Sequence, residues 1–163
     1  MTQLFSHLRV SSEYSISQGL LTVDQIVDNA IRNSVPSVAL TDKSNMFGLV
    51  KFFNKCESAG IKPISGSSIR LIFDDDDTSY ELLCLAKTNN GHKNLMKIIS
   101  NAHNNNSFNQ PIIKFNDLIE LKDDIIVISG GKESHIFEYL KSNNTSDASK
   151  RINDFRSSFG DNF

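Results

Sequence analysis

Tryptophan is absent, proline occurs three times and cysteine twice. Two thiols cannot build a disulfide framework. Cys56 and Cys84 each lie in an apolar periodic run, which fits buried thiols in a reduced, cytoplasmic chain. Long apolar runs are missing as well, and none approaches the roughly 20 residues that a membrane-spanning helix needs. No positively charged start precedes an apolar leader-type segment. Charge of one sign is lacking too. The 17 basic and 19 acidic side chains leave a net charge of -2, and the isoelectric point is about 6.1. That balance argues against a basic footprint for duplex binding. There is no internal repeat. Gly130-Gly131 is neither a GxGxxG nor a P-loop fingerprint, so a nucleotide-phosphate reading is weak.

What is present suffices for one ordinary folded domain. The 163 residues are 39% apolar and 22% charged, which is globular rather than disordered. Leu4 to Val10 reads as an opening strand. Thr22 with Gln25 three residues on is a capping box. Behind it Val23, Ile26, Val27, Ala30 and Ile31 share one helical face. Pro36 stops that helix, and Ser37 to Thr41 reads as a buried strand. A second helix is expected from about Asn45 to Ala59, with Met46, Leu49, Val50, Phe53 and Cys56 as its stripe and Gly60 at the C′ position. Ser68 to Phe73 and Tyr80 to Lys87 read as an antiparallel hairpin over about 68–87. Further helices follow near 90–104, 115–121, 133–141 and 147–159, with a loop over 104–110 and a strand over 124–129. In the last helix Ala148, Ile152, Phe155 and Phe159 are spaced for one buried face. The alternation argues for an α/β fold.

Asp74-Asp75-Asp76-Asp77, at the hairpin tip, suggests a cation site. Four adjacent carboxylates repel one another, however, and the segment lacks the glycine and terminal Glu of a calcium loop. A solvated turn is expected. His92, His103 and His135 fall on helices or their ends and share no metal-ligand spacing.

Several short words carry more information together than singly. They are His7-Leu8-Arg9-Val10 with Glu13-Tyr14-Ser15, Ala39-Leu40-Thr41-Asp42, Asn45-Met46-Phe47-Gly48-Leu49-Val50-Lys51-Phe52 and Gly60-Ile61-Lys62-Pro63-Ile64-Ser65-Gly66. Asn90-Gly91-His92-Lys93-Asn94-Leu95 and Ile128-Ser129-Gly130-Gly131 continue the series. In this order and at this spacing the chain resembles PHP domains, metal-dependent phosphoesterase modules, and in particular the one that opens the α subunit of bacterial DNA polymerase III. The resemblance covers essentially all of residues 1–163 and implies the N-terminal part of a PHP domain: a partial, distorted (β/α)7 barrel whose remaining strands lie outside these residues. Such a piece would expose strand edges and could pair with itself.

The resemblance also implies where metal ligands would stand. Active members hold several metals on His, Asp and Glu side chains, which polarise a phosphate and activate water. The positions of the opening His-x-His pair correspond to Arg9 and Ser11. The next Asp ligand corresponds to Gln18, the His after Thr41-Asp42 to Lys43, and the Glu after Gly66 to Ser68. A later-strand His corresponds to Glu81. His7 and Asp42 persist, His7 being expected as a satisfied, partly buried strand-end residue. A guanidinium does not ligate and a serine hydroxyl does so poorly. We therefore expect no resident metal and no catalytic residue here. Arg9 or Lys43 is expected to restore positive charge by pairing with Asp42, Glu13 or Glu81.

For the parent protein the resemblance implies a DNA-directed DNA polymerase, a nucleotidyltransferase of DNA replication. Its Mg2+ would sit in a palm domain outside this chain, with DNA contacted mainly through such absent domains. Implied partners are a proofreading 3′-5′ exonuclease subunit and other replicase subunits, with no membrane. The resemblance leaves two alternatives: a PHP phosphoesterase or 3′-5′ exonuclease active in its own right, and a standalone regulatory or histidinol-phosphatase-like protein. The words around Asn45 to Phe52 fit the polymerase family better.

Overall fold

A computed structural model describes residues 5–76, 78–104 and 110–163. The chain divides into two compact units, Met1–Ser67 and Ser68–Phe163.

In the first unit, helix α1 (Val23–Arg32) begins at the capping box. The Gln25 amide donates to Thr22 Oγ1 at 3.2 Å, and the Thr22 amide donates to Gln25 Oε1 at 2.9 Å. Two otherwise orphaned amides are thereby satisfied. Strand β1 (Ser37–Leu40) and the start of β2 (Lys62–Ile72) run parallel, from Ser37 opposite Lys62 to Leu40 opposite Ser65. Helix α2 (Leu49–Ser58) lies between them in sequence. Gly60, at φ +69°, supplies the left-handed step after that helix. Val23, Ile26, Val27 and Ala30 of α1 pack with Val38, Leu40, Leu49, Phe52, Cys56 and Ile61 in one core. On the solvent side Lys51 and Lys55 each reach Asp24 at 2.7 Å.

The second unit holds the rest of β2 with β3 (Tyr80–Ala86), α3 (Asn89–Asn104), β4 (Ile113–Lys114), α4 (Phe115–Glu120), β5 (Ile125–Ser129), α5 (His135–Lys141) and α6 (Thr145–Phe159). β3 and β5 are antiparallel, from Leu82 opposite Ser129 to Ala86 opposite Ile125. The end of β2 pairs in parallel with β4 and neighbours β3. The short connection between β2 and β3 leaves no room for a crossover, so this is the expected hairpin. Leu71, Leu95, Ile98, Ile113, Leu118, Ile125 and Val127 are fully buried. Gly130 is required by packing: a Cβ there would sit 2.2 Å from the Glu81 carbonyl oxygen. Gly130 therefore serves a close approach of backbones, and Gly131, at φ +68°, a left-handed step.

Several elements depart from expectation. The opening strand reduces to one bridge, His7 with Val38, and Leu4 lies outside the described residues. α2 starts at Leu49 because Asn45 holds the preceding residues in a turn, with its Oδ1 accepting from the Phe47 amide at 3.2 Å. Its buried face is Leu49, Phe52 and Cys56, while Val50 is 75% exposed. Ile31 is exposed on α1, and β2 begins six residues before Ser68. In α6 the buried face takes Arg151 rather than Ile152. Most of the 104–110 loop falls outside the described residues.

The aspartate turn is also not merely solvated. Asp75 accepts from Lys150 at 2.8 Å and from Arg151 at 2.5 Å. Asp74 accepts from Asn116 at 2.6 Å, and Asp76 from the Tyr139 hydroxyl at 3.2 Å. Mutual repulsion is relieved by donors on three helices, which the local sequence does not reveal. Asp77 is outside the described residues.

Candidate functional site

Asp42 follows β1 directly. The segment before it is laid along that strand: the Ala39 amide donates to His7 O at 2.9 Å and the Thr41 amide to Val10 O at 2.8 Å. Thr41 Oγ1 also accepts from the Val10 amide at 2.9 Å. This alignment brings Ser12 and Ser15 onto the Asp42 carboxylate. Oδ1 accepts from the Ser12 amide at 2.7 Å and from Ser15 Oγ at 2.6 Å, and Oδ2 accepts from Ser12 Oγ at 2.7 Å. Ser12, Ser15 and Asp42 are each at most 1% exposed. Ser15 Oγ in turn accepts from the Lys43 amide at 3.0 Å, and Ser67 Oγ donates to Asp42 O at 2.7 Å. Asn45 Nδ2 donates to Tyr14 O at 3.0 Å.

The loop from Ser12 to Leu21 is closed on itself. The Glu13 amide donates to Leu21 O at 2.8 Å, and the Gln18 and Gly19 amides both donate to Ser15 O. A Cβ at Gly19 would lie 1.7 Å from Ser12 O, so only glycine fits. At the outer side of this loop Ile16 is 86% and Leu20 95% exposed.

The expected site positions distribute as follows. Asp42 is buried, but its described partners are an amide and two hydroxyls. His7 is exposed rather than partly buried, with its ring edge-on to Phe5 at 4.8 Å. Arg9 and Gln18 are exposed, and Ser11 and Lys43 half-buried. Ser68 and Glu81 belong to the second unit, where both are 4% exposed. The roles of Ser12, Ser15 and Ser67 carry no mark in the sequence, since the carboxylate that Ser12 and Ser15 serve lies 30 and 27 positions away.

A metal cluster does not fit this donor set. Three of the roughly four lone-pair directions of the Asp42 carboxylate already receive hydrogens. Its sequence neighbour Lys43 offers an ammonium, which is no ligand. Among the described residues no three His, Cys, Asp or Glu side chains are grouped to hold a metal.

The second unit carries a different buried group. His135 is 3% exposed, lies 3.6 Å from the Tyr80 ring and meets Phe73 edge-on at 4.6 Å. Burial, with the Arg151 charge second, lowers its pKa to about 3. The Arg151 guanidinium sits 3.9 Å above the Phe73 ring. A neutral imidazole boxed by aromatic rings is a core residue. In a single sequence it is indistinguishable from a reactive one.

The chain is similar to known proteins. Over 161 residues the chain is 35% identical to DNA polymerase III subunit alpha of Vibrio cholerae, covering 98% of this chain and 14% of that protein. The Escherichia coli K12 protein of the same name is 38% identical, over 86% of this chain and 12% of its own length. The chain thus spans about a seventh of the relatives it matches. Among solved structures, an amidohydrolase from Chromobacterium violaceum is 20% identical over 60% of this chain and 34% of its own, at a TM-score of 0.43. The PHP domain model matches residues 7–163, a span that takes in the Thr41-Asp42 turn, both units and the mixed α/β order expected of part of a PHP-type barrel, and on that match the chain belongs to the PHP family.

Proposed function

We propose that this chain is a non-catalytic PHP module of a replicative DNA polymerase α subunit. It would support the polymerase and dock the separate proofreading 3′-5′ exonuclease subunit. Template-directed synthesis, with its Mg2+, then belongs to a palm domain outside these residues. The observation that carries the non-catalytic part is chemical. Arg9, Ser11, Gln18, Lys43 and Ser68 stand at positions where active relatives are expected to place ligands. The one retained carboxylate, Asp42, already receives hydrogens from Ser12 and Ser15. Phosphoester hydrolysis of the family type needs several cations, and these side chains offer too few donors.

Docking is supported by exposed apolar side chains in the first unit: Ile16, Leu20, Phe47 and Val50 are each at least 75% exposed. Large exposed aliphatics and aromatics of this kind mark association surfaces when they gather. The proposed partner is the one that the resemblance to polymerase α subunits implies.

Two measurements test the two parts. Incubation of the purified chain with a 3′-labelled oligonucleotide and with p-nitrophenyl phosphate, plus Mn2+ or Zn2+, is expected to release no product above the blank. Chelator-sensitive hydrolysis would replace this reading with that of an active phosphoesterase. Sedimentation with the exonuclease subunit of the same organism is expected to give a one-to-one complex. Separate sedimentation of the two would remove the docking role.

A further inference from the structure

We infer that Asp42 is a hydrogen-bonding clamp that takes the structural place of a bound cation. A carboxylate buried to 1% exposure requires compensation, either by a cation or by hydrogen-bond donors. Here the protein itself supplies three donors: Ser12 N–H, Ser12 Oγ–H and Ser15 Oγ–H all fall within 2.6–2.7 Å. The same three groups come from a single loop. Asp42 therefore fixes Ser12 and Ser15, and through them the close approach of Gly19 to Ser12 O and the closure of Glu13 on Leu21. Ser17, a non-glycine residue at φ +69°, sits inside this closed loop. Its left-handed conformation persists because the surrounding bonds hold it. A divalent ion at Asp42 would have to displace hydroxyl hydrogens that the loop itself presents. The clamp and the cation are alternatives at one carboxylate.

This inference rests on the absence of a resident metal in the proposed function, and the test keeps the two apart. Metal content of the purified 163-residue chain is measured by elemental analysis. Stoichiometric zinc or manganese would overturn both the clamp and the metal-free reading. Hydrogen exchange of the Ser12, Glu13 and Gly19 amides is then followed with and without EDTA in wild type, Asp42→Asn, Ser15→Ala and Asp42→Ala. Asparagine keeps an acceptor for the Ser12 amide and Ser15 Oγ, while Ser12 Oγ can reorient to accept from its amide group. Asp42→Asn is therefore expected to lose at most about 10-fold in protection, and Ser15→Ala about 10-fold, the scale of one hydrogen bond to a charged group. Asp42→Ala is expected to lose protection at all three amides, and EDTA to change nothing. The clamp is refuted if loop protection in wild type collapses with EDTA, or if Ser15→Ala leaves it unchanged. Asp42→Asn and Ser15→Ala keep the test decisive should Asp42→Ala fail to fold.

Discussion

At the scale of single residues, His135 gives the sharpest expectation. Its imidazole is neutral when folded, with the pKa lowered from 6.5 to about 3 chiefly by burial. The unfolded chain binds the proton at an ordinary pKa near 6.5. Between those values the unfolded state holds more protons, so stability rises with pH there. The contribution is fully present above pH 6.5 and is lost as pH falls toward 3, by up to about 1.4 kcal/mol per pH unit inside that window. Urea midpoints measured from pH 7 to pH 4 should show that slope, and His135→Phe should flatten it. An unchanged slope in the variant would place the proton linkage elsewhere. The thiols make a second case. Burial pushes Cys56 up to about 11 and Cys84 up to about 12. Since the thiolate is the reactive form, a disulfide reagent at pH 8 should titrate neither until denaturant is added. Sequence made the burial of both cysteines legible, because each sits in an apolar stripe. It left His135 ambiguous, because its aromatic box is assembled from Tyr80 and Phe73, more than 50 positions away.

At the scale of elements, the turn after β2 is the part that local reasoning describes incompletely: Asp74 and Asp75 are exposed, as expected, but they are also paired. Four adjacent aspartates suggest a segment that solvent alone can tolerate. Yet Asp75 is lowered to about 2, first by its hydrogen bond from Lys150 and then by that from Arg151. That carboxylate therefore stabilises the fold above about pH 3.8, and the effect is lost as pH falls toward 2. Half of the Asp75 side chain is exposed, so the pair is screened. Asp75→Asn should cost about 1 kcal/mol, the upper range for exposed pairs. Arg151→Ala should cost about 3 kcal/mol, because it also uncovers the Phe73 ring and a buried aliphatic stem. Thermal or urea unfolding of both variants checks the order; equal losses would mean that charge, not packing, dominates. Elements whose signals are local, such as the Thr22 cap, the α3 stripe of Leu95, Ile98, Ile99 and Ala102, and Gly60 after α2, were all legible. The turn, the late start of α2 and the buried Arg151 were not, since each depends on partners that only the tertiary structure supplies.

For the molecule as a whole, the family was legible from ordered short words. The way Asp42 is compensated was not legible, because serines three residues apart reveal nothing about a carboxylate 27 or 30 positions later until the loop closes. The same closure bears on association. With a net charge of -2, long-range attraction contributes little, and the proposed docking would draw on apolar surface. Ile16 and Leu20 are 86% and 95% exposed on the clamped loop. Replacing both with serine removes no core contact, and the urea midpoint should correspond to a change within about 0.5 kcal/mol. Affinity for the exonuclease subunit should nevertheless fall at least about 10-fold, the equivalent of one lost apolar anchor. The wild-type complex should also change little in affinity as salt rises from about 0.05 to 0.5 M, since screened charges would contribute little. Strong salt dependence, with full binding by the Ile16→Ser/Leu20→Ser variant, would move the docking face away from this loop to a charged surface of the chain.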